Sequence, residues 1–280
     1  MSYQIKNNHQ ELAWMNDCPV FVSSADSYAD IWPVFFDLFK MNWPEYNGII
    51  YLNTEEKTFH KEGLNIECTR VGKLGNFGRV FRAGLDQIKS DQLLFMMIDY
   101  IFMGKVNHLK LSEYYDYFIA MGIDSLCLIH QNYTNLKPTE LQDINMVALP
   151  SHDMFSYQIA LWKKQTLYEM ALPHENPWTS EWFGTQRANK MKMQLGCLTE
   201  DTEAPISYDP GGCLRKGQWV ENAIDYLNAI NYDVNIKNRG YFKELSPTIK
   251  ERWNMKLMFI KDGFKGSYWD LLKRKNGQGR

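Results

Sequence analysis

Apolar residues are laid along the chain in short runs, separated by polar, Gly- or Pro-containing turns. The densest run is Leu93-Leu94-Phe95-Met96-Met97-Ile98, closed by Asp99. An apolar run of that length without polar alternation fits a strand buried on both faces, as in a parallel sheet. Residues 19–23 form a shorter β-rich run and are expected as the first strand. A polar turn, Ser24-Ala25-Asp26-Ser27, follows. Residues 28–41 then carry Ile31, Phe35, Leu38 and Phe39 at near-helical spacing, with Pro33 in the tolerated early turns. Strand, polar turn and helix are the opening of a βαβ unit, so the pattern predicts an α/β fold.

Further strands are expected at residues 48–53, 65–70, 124–130 and 145–149. Helices are expected at 79–89, 111–121, 157–170, 179–193 and 220–230. The glycines Gly72, Gly75 and Gly78 mark a loop, and so do the polar residues 131–143 and 198–212. From Asn231 the pattern reads as short helices covering the body, with a frayed tail at residues 276–280. A shift in composition near residue 145 divides the chain into parts 1–145 and 146–280, within one compact domain.

Composition changes this picture little. The chain has 280 residues, 45% of them hydrophobic, which is a globular composition with ample material for a core. A net charge of −2 gives no global field favouring nucleic acid or an anionic membrane. The five cysteines are widely spaced without a CxxC, which favours a reducing compartment over a disulfide framework or zinc site. Residues 1–18 lack an apolar signal core, and no run is long enough to span a membrane. A cytoplasmic location is therefore expected.

Several stretches can carry chemistry. Asp99 ends the central strand, where ligands of open α/β sheets bind, and it can hold a divalent cation or orient a substrate. Ser23, Ser24, Asp26 and Tyr28 follow the first strand. Their hydroxyls and carboxylate can bond a base or ribose, and Tyr28 can stack on the base. Arg79, in Asn76-Phe77-Gly78-Arg79 and followed by Arg82, opens a helix and can pair with a phosphate or with Asp99. The segment Glu175-Asn176-Pro177-Trp178-Thr179-Ser180-Glu181 places a Trp and two carboxylates around a helix start. There Trp178 can stack on a sugar and a carboxylate can take a proton. Arg215 and Lys216 can fold over a diphosphate. Each stretch also has a structural alternative: a capped turn, a surface cation, or a helix start neutralised by its carboxylates. The six histidines show no metal-ligand spacing, and no Ser- or Cys-nucleophile signature is present.

In this order the stretches resemble a group of bacterial and phage GT-A-type glycosyltransferase-like proteins, often associated with polysaccharide biosynthesis. They are Ser-Ser-x-Asp-x-Tyr, Asn-Phe-Gly-Arg, Asp-Tyr-Ile-Phe, Tyr-Gln-x-Ala-Leu-Trp, Glu-Asn-Pro-Trp-x-x-Glu and Arg-Lys-Gly-x-Trp. The resemblance spans about Pro19 to Trp219. It implies a GT-A-like (Rossmann-like), mostly parallel sheet flanked by helices, with a helical C-terminal part and the nucleotide-sugar held by the N-terminal half. It matches Asp99 to the acidic motif ending the central strand. Ser24 and Asp26 match the uridine-side turn, and Arg79 the diphosphate-facing helix start. Gln158, Trp178 and Glu181 match the acceptor side. Members of the group often carry a second acidic residue beside the matching Asp; here it is Ile98. Mg2+ or Mn2+ bound at Asp99 is thus one expectation, and cationic neutralisation by Arg215 and Lys216 is another.

The expected activity is transfer of a sugar from a nucleoside-diphosphate sugar to a hydroxyl acceptor. A glycan is the first choice of acceptor and a nucleic acid remains open. Asp99 would bind the donor, and Glu181 would be the general base of an inverting reaction. Two rivals stay open: a nucleotidyltransferase using the same crevice, and a catalytically inactive sugar- or nucleotide-binding relative.

Overall fold

The computed structural model describes residues 13–152, 154–244 and 248–275. Its strands are β1 (Val20–Ser23), β2 (Ile49–Leu52), β3 (Asn65–Cys68), β4 (Gln92–Met97), β5 (Ser125–His130), β6 (Leu136–Pro138), β7 (Ile144–Val147), β8 (Ala160–Lys163), β9 (Leu195–Leu198), β10 (Leu214–Arg215) and β11 (Gln218–Trp219). Its helices are α1 (Trp14–Asp17), α2 (Trp32–Asn42), α3 (Phe77–Leu85), α4 (His108–Ala120), α5 (Lys164–Met170), α6 (Pro177–Met191), α7 (Glu221–Ala229) and α8 (Ile249–Lys275).

Nine strands form one sheet in the order β3-β2-β1-β4-β8-β5-β9-β7-β6. β8 is antiparallel to both its neighbours, and β7 is antiparallel to β9 and β6; the other strands share one direction. The fold is thus an α/β, mostly parallel sheet flanked by helices.

Alternation along the central strands explains their unbroken apolar runs. Val20, Val22, Leu94 and Met96 belong to the core on one face, with the aromatic residues of α2 and with residues of α4 and α7. Phe21, Leu93 and Phe95 belong to the core on the other face, with residues of α3, α5 and α6. Helices cover both faces, so no strand position in the centre can be polar.

Three expectations change on inspection, and one strand is unexpected. Residues 157–170 are not one helix: Ala160-Leu161-Trp162 form strand β8, and only Lys164–Met170 are helical. Leu161 faces one core while Ala160 and Trp162 face the other, so a strand followed by a helix imitates helical spacing. The polar stretch 131–143 contains β6, an edge strand whose outer positions need not be apolar. Leu195–Leu198, between the expected helix and loop, form β9, which the pattern does not predict. The segment after residue 231 includes a single 27-residue helix, α8, rather than short helices alone. The tail expected at 276–280 lies outside the described residues.

One loop is fastened by a carboxylate. Asp26 Oδ1 accepts from the amide of Glu55 (2.9 Å), and Oδ2 from those of Glu56 (2.9 Å) and Lys57 (3.0 Å). Asp26 is lowered below the usual carboxylate range: burial opposes the charge, but the three amides outweigh it, helped by the Lys57 cation. Asp30, hydrogen-bonded to Arg239, and Asp143, hydrogen-bonded to Lys110, are lowered too. A carboxylate depressed in the folded state adds stability above its unfolded pKa of about 3.9 and loses it as pH falls through the folded value. Urea denaturation is therefore expected to show Asp26→Ala destabilised by about 1–2 kcal/mol at pH 7. The difference should shrink below about pH 4. Equal stability at pH 7 would show that the 55–57 loop is held by other contacts.

Candidate functional site

The chain runs from β1 outward through β2 and β3, then returns to place β4 on the opposite side of β1. β1 continues through α2 and β4 through α4, and both helices cover the same face of the sheet. The C-terminal strand ends themselves are the usual ligand position in open α/β sheets. Ile98 donates its amide to Ser23 O (3.0 Å), holding the two strand ends together. Asp99 follows at once.

Asp99 is half-buried. Its carbonyl accepts the amide of Cys213 (2.7 Å), tying the strand end to the loop at residues 209–213. Gly212 crosses directly over the carboxylate: a Cβ there would stand 2.7 Å from Asp99 Oδ2, and the backbone has φ +75°. Only glycine meets both demands at low cost. Burial pushes the Asp99 pKa up to about 6, against a lowering hydrogen bond from its own amide. Burial also raises the Tyr28 phenol and the Cys213 thiol, and the Asp99 charge adds to both.

The covering loop has a defined frame. Asp209 Oδ1 accepts from Gly211 N (2.8 Å), and Gly212 N donates to Asp209 O (2.8 Å). Gln158 Nε2 donates to Pro210 O (3.1 Å), while its Oε1 accepts from Tyr208 OH (2.9 Å). The Tyr208 ring lies 4.9 Å from that of Tyr100. Gln158, matched to the acceptor side, thus holds this loop. Beyond it, β10 and β11 form a hairpin whose two turn residues, Lys216 (φ 50°) and Gly217 (φ 78°), are both left-handed. Arg215 Nη2 returns to within 3.3 Å of the point where a Gly211 side chain would begin. Asp99 and Arg215 thereby flank one loop.

The turn after β1 is equally engaged. Ser23 is buried, and Ser24 Oγ accepts from Trp32 Nε1 (2.8 Å). The Asp26 carboxylate is occupied by the three amides described above. The Arg239 guanidinium lies 5.1 Å from the Tyr28 ring centre, pairs with Asp30 and donates to Ser27 O (2.8 Å) and Gly217 O (3.2 Å). Arg239 thus joins the first turn to the hairpin. An isolated Arg in a Lys- and Asn-rich segment carries no motif that could have announced it.

Glu181 lies in α6, half-buried, with Oε1 accepting from Tyr157 N (2.9 Å). Burial raises its pKa, opposed by that amide. Burial raises the Tyr100 phenol, and the charges of Asp99 and Glu181 add to that. Trp178, one turn earlier on α6, is 67% exposed. Glu175 is structural: its carboxylate is 1% exposed and takes two 2.7 Å hydrogen bonds from Arg187. Breaking such a buried pair costs about 3–5 kcal/mol.

The remaining cations lie outside the crevice's centre. Arg79 is exposed in the first turn of α3, behind the Asn76 cap, and among the described residues no ion pair joins it to Asp99. Arg82 is held by the carbonyls of Tyr168 and Ala171. Lys216 pairs with Glu251 of α8 (3.2 Å). Arg215, beside the 209–213 loop as described above, also approaches Glu244 at 3.9 Å.

Among the described residues no group of three or more His, Cys, Asp and Glu is placed to hold a metal ion. Asp99 offers one carboxylate, so the donor set does not fit an ion held by the protein alone.

No family model matches the chain, and no curated protein matches it. Solved structures show partial likeness. The S. aureus TarS 1–349 structure in complex with UDP-GlcNAc is 16% identical at a TM-score of 0.48, covering 79% of this chain and 68% of that one. A second S. aureus TarS 1–349 structure is 15% identical at a TM-score of 0.46, covering 66% of this chain and 58% of that one. A UDP-glucose pyrophosphorylase complexed with UDP-glucose is 10% identical at 0.46, covering 77% and 98%.

A raised carboxylate gives a test with a definite sign. Asp99 takes up its proton at a higher pH when folded than when unfolded. Its contribution to stability therefore falls as pH rises from about 4 to about 6. Asp99→Asn is expected to be more stable than wild type at pH 7.5, by up to about 3 kcal/mol, with the gap closing below about pH 4. Chemical denaturation at both pH values measures it. An Asn variant less stable at pH 7.5 would mean that the carboxylate is held by favourable partners.

Proposed function

We propose that the protein is a glycosyltransferase that uses a nucleoside-diphosphate sugar bound in the crevice between the ends of β1 and β4. The observation that carries this reading is the arrangement around the 209–213 loop. Asp99 lies against Gly212, with Arg215 beside Gly211. A carboxylate orients sugar hydroxyls or ribose, and a guanidinium neutralises a diphosphate. Tyr28 is assigned to the nucleoside end; the Ser24 hydroxyl and the Asp26 carboxylate of the same turn are already bonded to Trp32 and to the 55–57 amides.

In this reading the acceptor hydroxyl attacks the anomeric carbon as the bond from that carbon to the diphosphate oxygen breaks. The electron pair leaves with the diphosphate, where Arg215 and Lys216 offset the growing charge. The acceptor proton passes to Glu181, whose burial raises its affinity for a proton. Lys216 must leave Glu251 to take part. Trp178, exposed one turn before Glu181, offers a stacking face to a sugar acceptor. Arg79 is assigned to the outer end of the diphosphate. This chemistry routes no step through a metal.

Incubation with UDP-, GDP- and CMP-sugars, reading released nucleotide, tests the reaction class. One donor class should turn over. Asp99→Asn and Glu181→Gln should each lower kcat/KM by about 100-fold or more while keeping the wild-type fold. Arg215→Ala should lower kcat by about 10- to 100-fold. Tight nucleotide-sugar binding without release in wild type would identify a non-catalytic binding protein. Pyrophosphate-dependent formation of a nucleoside triphosphate would identify a nucleotidyltransferase.

A further inference from the structure

α8 has two apolar faces, and the body covers only one. Asp262 is buried and accepts from Thr179 Oγ1 of α6 (2.8 Å). The Phe259 ring packs near Trp182 (6.0 Å) and Phe183 (6.4 Å). Met258 and Phe259 are half-buried, so this side of the helix faces the protein. At 3.6 residues per turn, Ile249, Trp253, Leu257, Ile260 and Phe264 fall in a stripe about 80° wide, roughly opposite Asp262. They are 77, 62, 57, 56 and 76% exposed. Single exposed apolar residues are ordinary; five in one stripe on one helix mark a surface made to be covered.

Cations border the stripe on both sides. Arg252 and Lys256 lie along one edge, Lys250 and Lys261 along the other, and all four are exposed. The two acidic residues of this half of the helix point elsewhere: Glu251 pairs with Lys216 and caps Thr248, and Asp262 is buried. Over its length α8 carries eight Lys and Arg against three Asp and Glu, although the whole chain has a net charge of −2. The positive charge is therefore concentrated on this element.

We propose that the outer face of α8 docks on an anionic lipid surface, lying in the interface plane. An apolar stripe containing Trp and Phe, edged by basic residues, matches such a surface in both polarity and charge. Pairing with the same stripe of a second copy would bring two rows of cations together, which opposes self-association. No helix among the described residues is long and apolar enough to cross a membrane. The geometry is that of a helix lying on the bilayer rather than through it.

The proposal does not depend on the activity proposed above, and binding to lipid vesicles tests it alone. The full chain is sedimented with phosphatidylcholine vesicles and with vesicles containing phosphatidylglycerol. It is expected to partition onto the anionic vesicles, less so as salt rises. The variant Trp253→Ser/Ile260→Ser/Phe264→Ser should lower partitioning by about tenfold or more. The variant Lys250→Glu/Lys256→Glu/Lys261→Glu should lower it by on the order of a hundredfold at low salt. The changed positions are exposed, so circular dichroism should match wild type. Equal sedimentation with both vesicle types, no sedimentation with either, or unchanged binding in both variants would overturn the proposal. So would a wild-type dimer in solution that the Ser variant converts to monomer, which would assign the stripe to a second copy.

Discussion

The structure depends on the pairing of β1 with β4, two parallel strands buried on both faces. Because helices cover both sides, the inner positions of this pair, Val20–Val22 and Leu93–Met96, are all apolar, and the first charge comes at the edge. Asp99 is that charge. The same pairing sets Asp99 beside the end of β1, at the C-terminal edge where ligands of open α/β sheets usually bind. Core packing and site position therefore share one cause.

The crevice is closed by contributions distant in sequence. The 209–213 loop reaches Asp99 because Gly212 has no side chain and adopts a left-handed backbone. The loop is held by Gln158 and Tyr208, and Arg239 ties the hairpin behind it to the turn after β1. The cost of this arrangement is visible in Asp99 itself, a partly desolvated carboxylate whose charged form is disfavoured. Groups held against their own preference cluster where binding or chemistry takes place.

The sequence made some of this legible. The unbroken apolar run before Asp99 named the central strand, its two buried faces and the carboxylate at its edge. The polar turn after β1 was legible as a turn. There, however, the Asp26 carboxylate is committed to three backbone amides, which residue type alone does not distinguish from a ligand contact. Strand β8 was hidden because three apolar residues and a lysine running straight into a helix have no period of their own. Arg239 and Gly212 carried no local signal, since their roles arise only when remote segments meet. The outer stripe of α8 was obscured for a different reason. Its apolar residues lie on two opposite faces, so the helix reads as mixed rather than amphipathic.

The central claim is that the crevice beside Asp99 receives the diphosphate of a nucleotide sugar. A crystal structure determined with a nucleoside-diphosphate sugar bound tests it most directly. The account predicts the diphosphate beside the 209–213 loop, with Arg215 on its oxygens and Asp99 facing the sugar or ribose. A ligand bound elsewhere, for example in the cavity of about 510 Å³ lined by His174, Asn176 and Lys261, would contradict it.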